Sequence, residues 1–201
     1  KAIVCNGDGL EYECVVREIN DNRAVLSVES ASKCEGEPDF NLILCQAIPK
    51  SAKYEYIIQK SVELGVNEII FFNSDYSSSE EFRQERADKI ALEACKQCGR
   101  ARRVKVSRLP SLQSVLERAR GTWIVMPYER AEGNSIACAG HSEGDVTLII
   151  GSEGGFSEAE AQLAVSAGAA LVTLGKRILR CETAAAVAAA LVMYERGGLG
   201  K

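Results

Sequence analysis

The chain has 201 residues, of which 46% are hydrophobic, and a formal net charge of −4. This length fits one large domain, or one domain with a small appendage, and the apolar content is enough for a real core. The longest nearly apolar run, Ala184 to Met193, is shorter than the roughly 20 residues that cross a bilayer as a helix, so we expect no membrane-spanning helix.

The chain begins with a strand-like pattern. Residues Lys1 to Gly9 predict a strand entering a turn, with no signal peptide evident. Side chains then alternate, Tyr12 and Cys14 against Glu11 and Glu13, as in a half-buried strand. We predict a β domain over residues 1–36. Its roughly three or four strands are too few for an independent closed barrel, so the domain is expected to be partial, with residues 33–39 as a linker.

From Asn41 onward, predicted strands alternate with predicted helices, which indicates an α/β domain over residues 41–201 with a mainly parallel sheet. The predicted strands are Leu42 to Ala47, Val66 to Phe72, Val104 to Val106, Thr122 to Met126, Val146 to Ile150 and Ala170 to Leu174. The predicted helices are Ser51 to Leu64, Ser79 to Gly99, one capped by Ser111, Glu158 to Ala167, and Thr183 to Arg196.

Two strands of this domain run into unusual loops. The first loop, Gly151–Gly155, is rich in glycine, which lets a backbone approach a ligand closely, and Ser157 with Glu160 predicts a capping box for the next helix. The second loop, Leu174–Thr183, repeats the layout. Ligands of parallel sheets bind at the carboxyl ends of strands, so we expect these loops and the end of the strand at Met126 to share one pocket.

A phosphate is the first ligand to consider for a glycine loop that precedes a helix. However, the dinucleotide and phosphate-loop fingerprints are absent, and Glu153 would repel a phosphate. The loop therefore favours a ligand with a positive or neutral centre. A plain tight turn is the structural alternative.

Eight cysteines are scattered along the chain, and several occupy apolar positions where a thiol acts as a small hydrophobe. We infer a reducing cytoplasm rather than a disulfide framework. Cys95 and Cys98 have the spacing of half a zinc site, but a second ligand pair is missing and the only histidine, His141, lies in a polar loop. We expect no metal and assign this pair to core packing.

Positive charge is concentrated in residues 83–120, which carry eleven Lys and Arg against four Asp and Glu. Such a patch is typical of phosphate binding, and we assign RNA phosphate contacts to Arg100, Arg102, Arg103 and Lys105. The alternative is a solvated helix face that balances Glu80, Glu81, Glu85 and Asp88.

Four ordered segments resemble the motifs of the 16S ribosomal RNA uracil-N3 methyltransferase family, within the knotted SPOUT class. They are Gln59–Val66, Glu93–Arg100, Gly151–Ser157 and Leu174–Ala184. Two positions depart from the family pattern: Ser152 replaces a proline, and Cys181 stands where threonine is common.

The resemblance implies an N-terminal PUA-like β domain that binds RNA and a SPOUT domain with a C-terminal trefoil knot. It also implies S-adenosyl-L-methionine as cofactor, a homodimer, and 16S rRNA or the small ribosomal subunit as substrate. By the same resemblance, the cofactor-binding residues are Met126, Gly151, Glu153, Gly155, Leu174, Gly175, Ile178, Leu179 and Thr183.

Uracil N3 must lose its proton to become a nucleophile, and negative charge then spreads onto the ring oxygens. We assign stabilisation of that charge to Arg180 and assign Glu182 as proton acceptor or as a residue that orients Arg180. The alternative for this pair is an ion pair at a helix terminus. Alternative functions are methylation of tRNA or of a ribose 2′-hydroxyl, or a catalytically silent RNA-binding module.

Overall fold

The computed structural model describes residues 1–77, 82–139 and 143–200. The described residues form an antiparallel sheet of three strands and a sheet of six strands. The predicted helix start at Ser79, the charges of Glu80 and Glu81, and the loop position of His141 lie outside the described residues.

The small sheet is formed by β1 (Ala2–Val4), β2 (Leu10–Asn20) and β3 (Arg23–Lys33). β2 and β3 form a long hairpin, with register shifts after Glu13 and Val16. Cys14 is buried, whereas most of β3 is exposed. A sheet this small and this exposed depends on packing against a neighbouring structure.

The large sheet has the strand order β6-β5-β4-β8-β7-β9, and every pairing in it is parallel. Its strands are β4 (Leu42–Ala47), β5 (Glu68–Phe72), β6 (Lys105–Leu109), β7 (Trp123–Pro127), β8 (Val146–Ile150) and β9 (Ala170–Val172). The helices are α1 (Lys53–Glu63), α2 (Gln84–Cys98), α3 (Leu112–Arg118), α4 (Glu158–Ser166) and α5 (Cys181–Glu195). The predicted α/β class with a parallel sheet is confirmed.

Alternate side chains of the central strands enter two apolar clusters, one on each face of the sheet. In β4, Leu42 and Leu44 join the first cluster, while Cys45 and Ala47 join the second. This division follows from the two-residue period of a strand. Because helices cover both faces, the strands are apolar at nearly every position, which explains why they could be recognised in the sequence.

The structure corrects the predicted start of the last helix. We predicted Thr183 as its first residue, but α5 begins at Cys181, with Arg180 at the N-cap position. Arg180 makes no side-chain capping hydrogen bond, so the sequence carried no capping signal there. Glu182 and Thr183 therefore lie in the first helical turn rather than in the loop.

The segment predicted as a linker is instead packed against the α/β domain. Glu37 is buried and forms an ion pair with Arg100, with 2.7 Å between its Oε2 and the Arg100 Nη2. The Arg100 guanidinium also donates to the backbone oxygens of Val62 and Val66, at the end of α1. The two charges are thus paired and hydrogen-bonded, as buried charges must be.

The small sheet joins the α/β domain next to this ion pair. Gly7 and Asp8 form backbone bridges with Arg102, and the Gly9 amide donates to the Ala101 oxygen over 3.3 Å. The Arg102 side chain donates to Asn41 just before β4, so the joint lies at the amino ends of the strands. None of the described helices is long and apolar enough to span a membrane.

Candidate functional site

A cavity of about 490 Å³ opens at the carboxyl ends of β7, β8 and β9. Its lining comes from three segments that follow these strands: residues 127–133, 150–156 and 173–181. The volume lies within the roughly 300–1,000 Å³ typical of small-molecule sites. The two loops singled out in the sequence therefore face one cavity, together with a third segment after β7.

The glycine loop is folded tightly on itself. A Cβ added to Gly151 would lie 3.0 Å from the Gly155 carbonyl carbon, and Gly155 has a φ of +67°. Both positions therefore require glycine. Directly after this turn, the predicted capping box is present: the Ser157 hydroxyl accepts from the Glu160 amide, and the Glu160 carboxylate accepts from the Ser157 amide.

The second loop is more open. Gly175 has a φ of +103°, and its amide donates to the Thr173 hydroxyl over 3.1 Å. Ile178 is 89% exposed although its side chain lines the cavity. An exposed apolar side chain in the lining of a cavity is available to pack against an apolar part of a ligand.

Most of the residues assigned to the cofactor line the cavity. These are Gly151, Glu153, Gly155, Leu174, Gly175, Ile178 and Leu179. Two do not: Met126 is fully buried in β7, although the next residue, Pro127, lines the cavity, and Thr183 lies exposed in the first turn of α5.

The assignment also missed residues of the third segment. Tyr128, Glu129 and Ala131 line the cavity. They lack the glycine pattern that marked the other two loops, and only their position just after a strand could have indicated them.

Lys53, at the start of α1, lies between Glu153 of the glycine loop and Glu182 in the first turn of α5, and was not predicted from the sequence. Its Nζ lies 2.8 Å from Glu153 Oε1 and 3.8 Å from Glu182 Oε2. The Lys50 amide also donates to both oxygens of Glu153. The Glu153 carboxylate is therefore held by the Lys53 ammonium of α1 and by an amide of the segment just before that helix.

These contacts set the ionisation of the cluster. Burial tends to raise the pKa of Glu153, but the hydrogen bonds from Lys53 and from backbone amides outweigh it, so the pKa is lowered. Conversely, the hydrogen bond to Glu153 raises the pKa of Lys53. Because the Glu153 pKa is lower in the folded protein, ionisation of this carboxyl group stabilises the fold at pH values above the ordinary glutamate pKa. This stabilisation is lost as the pH falls through the lowered pKa.

Glu182 is also held ionised. Burial tends to raise its pKa, but backbone and Cys181 hydrogen bonds and the charges of Lys53 and Arg180 lower it. Cys181 is a cavity residue whose thiol donates to Glu182 over 3.2 Å. Burial, followed by that hydrogen bond, raises the pKa of Cys181 to about 12. Its thiol is therefore neutral near pH 7 and acts as a donor rather than a nucleophile.

Arg180 lies between two cavity residues, Leu179 and Cys181, and is exposed. Within the described residues, its side chain forms no ion pair shorter than 4.0 Å. The direct cationic partner of Glu182 is Lys53 rather than Arg180. Neither Arg180 nor Glu182 lines the cavity itself, although both are next to lining residues in the sequence.

The four residues assigned to RNA phosphates are not near the cavity. Arg100 is buried against Glu37, and its guanidinium cannot reach a phosphate in this structure, which corrects that assignment. Arg102, Arg103 and Lys105 are exposed but lie at the amino end of β6. The cavity lies roughly 15 Å further along the strand direction, at the carboxyl ends of β7, β8 and β9, and β6 is separated from β8 by β5 and β4.

Both Cys95 and Cys98 were assigned to core packing. Cys95 is buried, as expected, but Cys98 is exposed. Over the described ranges, no group of three or more His, Cys, Asp or Glu is arranged to hold a metal ion.

A parallel sheet with a glycine-lined cavity at its carboxyl edge defines a ligand-binding α/β protein, and comparison with known proteins gives its class. The family model described as an RNA methyltransferase domain matches residues 36–193. The chain belongs to that family.

Its similarity extends to proteins called ribosomal RNA small subunit methyltransferase E. One from Mesomycoplasma hyopneumoniae is 36% identical over 83% of this chain and 74% of its own length. A crystal structure of one from Neisseria gonorrhoeae, bound to S-adenosyl methionine, is 31% identical. It has a TM-score of 0.85 and covers 96% of this chain and 81% of that chain.

A more distant structure shares the fold. The TrmH/SpoU tRNA-modifying enzyme of A. aeolicus is 16% identical, with a TM-score of 0.54 over 80% of this chain and 75% of that chain. At that identity, the likeness concerns the architecture alone.

Proposed function

We propose that this protein is an S-adenosyl-L-methionine-dependent methyltransferase that methylates N3 of a uridine in 16S rRNA, in the cytoplasm. The observation that carries the proposal is that both motif loops line one shared cavity, with Arg180 between the lining residues Leu179 and Cys181, in a chain of the RNA methyltransferase family.

The residues of the cavity fit this cofactor. Because Gly151 and Gly155 have no side chains, backbone groups of the first loop would approach an adenosine closely. Apolar Leu174, Ile178 and Leu179 would contact the adenine, while Glu153, whose charge is paired with Lys53, adds a polar group to the lining. S-adenosyl-L-methionine supplies an already activated methyl group, so the protein has mainly to align donor and acceptor.

The acceptor nitrogen must lose a proton. In our proposal, Glu182 receives that proton directly or through water, and Lys53 keeps its carboxylate oriented. The Arg180 guanidinium stabilises the negative charge that develops on the uracil oxygens. Arginine does not act as the base itself because its deprotonation is too costly.

We also propose that the small sheet is a PUA-like RNA-binding domain and that Arg102, Arg103 and Lys105 contact RNA phosphates. These groups and the cavity lie at opposite edges of the sheet. A homodimer that places the small sheet of one copy near the cavity of the other would bring both onto one RNA. We therefore propose a homodimer with composite sites.

We further propose a trefoil knot in the C-terminal region. The chain after β7 contacts the later chain at two separated places. The Thr173 amide donates to the Asn134 oxygen over 2.7 Å, and Arg196 donates to the Gly144 oxygen over 2.9 Å. These contacts support a loop through which the chain leading to α5 passes.

The function is tested by incubating the protein with labelled S-adenosyl-L-methionine and small ribosomal subunits that lack the modification. Digestion should yield labelled 3-methyluridine. Label in tRNA or in a 2′-O-methyl nucleoside would replace the proposed reaction with one of the alternatives. If calorimetry detects no cofactor binding and no label is transferred, the protein is a silent RNA-binding module.

The glycine loop gives a further prediction for cofactor binding. Alanine at Gly151 would press against the Gly155 backbone, and such overpacking costs about 1–3 kcal/mol. We expect Gly151→Ala to weaken cofactor binding about 10- to 100-fold in calorimetry.

Gly36→Ala is the matched control for this substitution. The added Cβ would lie 3.7 Å from the Cys34 Sγ, an ordinary contact, and Gly36 lies outside the cavity. Its cofactor affinity should equal that of the wild type. Wild-type affinity in Gly151→Ala would show that this loop does not enclose the ligand.

A further inference from the structure

Tyr76 is an aromatic residue whose position the methyl transfer itself does not explain. It follows β5 at the carboxyl edge of the sheet and is 52% exposed. Its phenol oxygen makes no hydrogen bond to the described part of the chain. A large aromatic side chain that is exposed to solvent near a ligand cavity is a candidate for contacting a bound ligand.

The backbone around Tyr76 is held to the glycine loop. The Ser152 hydroxyl donates to the Tyr76 oxygen over 2.9 Å, and the Ser157 hydroxyl donates to the Asp75 carboxylate over 2.6 Å. The Asp75 amide donates to Glu160 over 3.1 Å. Tyr76 is therefore attached to the glycine loop by one hydrogen bond from Ser152, and its neighbour Asp75 is attached to the start of α4 by two more.

The side chain of Tyr76 lies directly over Gly154. A Cβ added to Gly154 would lie 2.7 Å from the Tyr76 Cβ and 3.1 Å from its Cγ. The next residue, Gly155, lines the cavity. The Tyr76 side chain thus packs on a loop residue next to the cavity lining, while about half of it is exposed to solvent.

Cationic side chains occur along the same edge of the sheet. Arg108, near the end of β6, is exposed and donates to Asn73 over 3.1 Å. Lys176, Arg177 and Arg180 are exposed on the second loop. Tyr76 therefore lies between cations on both sides of the cavity, which suits a segment of RNA crossing this edge.

Proteins bind single-stranded RNA largely by stacking its bases on aromatic side chains. We propose that Tyr76 stacks on the base of the nucleotide next to the uridine that is methylated. The inference rests on the proposed function, since the uridine would occupy the cavity. Tyr76 would thereby hold the RNA strand while the target base is turned into the site.

The test compares Tyr76→Ala with Tyr76→Phe. Loss of one base stack costs about 1–3 kcal/mol, so we expect Tyr76→Ala to raise the KM for RNA, and the Kd for single-stranded RNA in the presence of cofactor, about 5- to 150-fold. The kcat at saturating RNA and the cofactor affinity should change little. Tyr76→Phe should match the wild type, because the ring is retained.

Tyr194→Ala is the control, since Tyr194 is 64% exposed at the far end of α5. It should leave the KM for RNA unchanged. Unchanged RNA affinity in Tyr76→Ala would overturn the inference, as would a change in oligomeric state alone, which would mean that a second copy covers Tyr76. Failure of the wild type to methylate would instead contradict the proposed function, while the RNA-binding comparison would still decide the role of Tyr76.

Discussion

Replacing Arg180 with alanine is expected to lower kcat about 10²- to 10³-fold, the effect of removing one group that stabilises a developing oxyanion. Arg180 is exposed, and its side chain makes no capping bond to α5, so the fold should tolerate the change. Cofactor affinity should remain, because the residues proposed to hold the cofactor are untouched. Labelled methyl transfer and calorimetry on the same preparation measure the two quantities separately.

Arg177→Ala provides the matched control. Arg177 is exposed on the same loop and lines the cavity, so it tests whether loss of any positive charge is enough. We expect a much smaller change in kcat than for Arg180→Ala. Equal losses in the two variants would indicate a general electrostatic effect, and full turnover in Arg180→Ala would remove this residue from catalysis.

The second large effect concerns stability. Arg100→Ala would leave the Glu37 carboxylate buried without its cation, and breaking such a pair costs about 3–5 kcal/mol. That is a large part of the roughly 5–15 kcal/mol by which domains are stable. Urea unfolding followed by the fluorescence of the single, buried Trp123 would measure it.

Two further variants make the stability result specific. Arg103→Ala removes an exposed charge nearby and should change the free energy of unfolding by less than about 0.5 kcal/mol. Replacing both partners, as Glu37→Leu with Arg100→Met, should recover much of the loss because no unpaired charge remains. A small effect of Arg100→Ala alone would mean that Glu37 is reached by water or is neutral.

The elements that the sequence predicted well are those with local signals. β4 and β8 have the predicted boundaries because both are continuous apolar runs, and the capping box of α4 is visible as Ser157 and Glu160. Gly99, with a φ of +73°, ends α2 where the sequence placed its end. In each case, the residues that determine where the strand or helix begins or ends lie within a short stretch of the sequence.

What the sequence could not show depends on pairs distant along the chain. Arg100 meets Glu37 across 63 positions, and Lys53 meets Glu153 across 100. From the sequence alone, Arg100 was indistinguishable from its exposed neighbours in the basic run. Only the fold reveals that one arginine of this run is structural while the others face solvent.

The strand order also affects how the protein can be synthesised. β4 is hydrogen-bonded on one side to β8, and Leu42 pairs with Val146, so about a hundred residues emerge from the ribosome before that edge is covered. At a translation rate of roughly 5–20 residues per second, the nascent chain carries an open, apolar strand edge for about 5–20 s. Such an edge invites pairing with other chains. We therefore expect truncated products that end before β8 to aggregate or to be retained by chaperones.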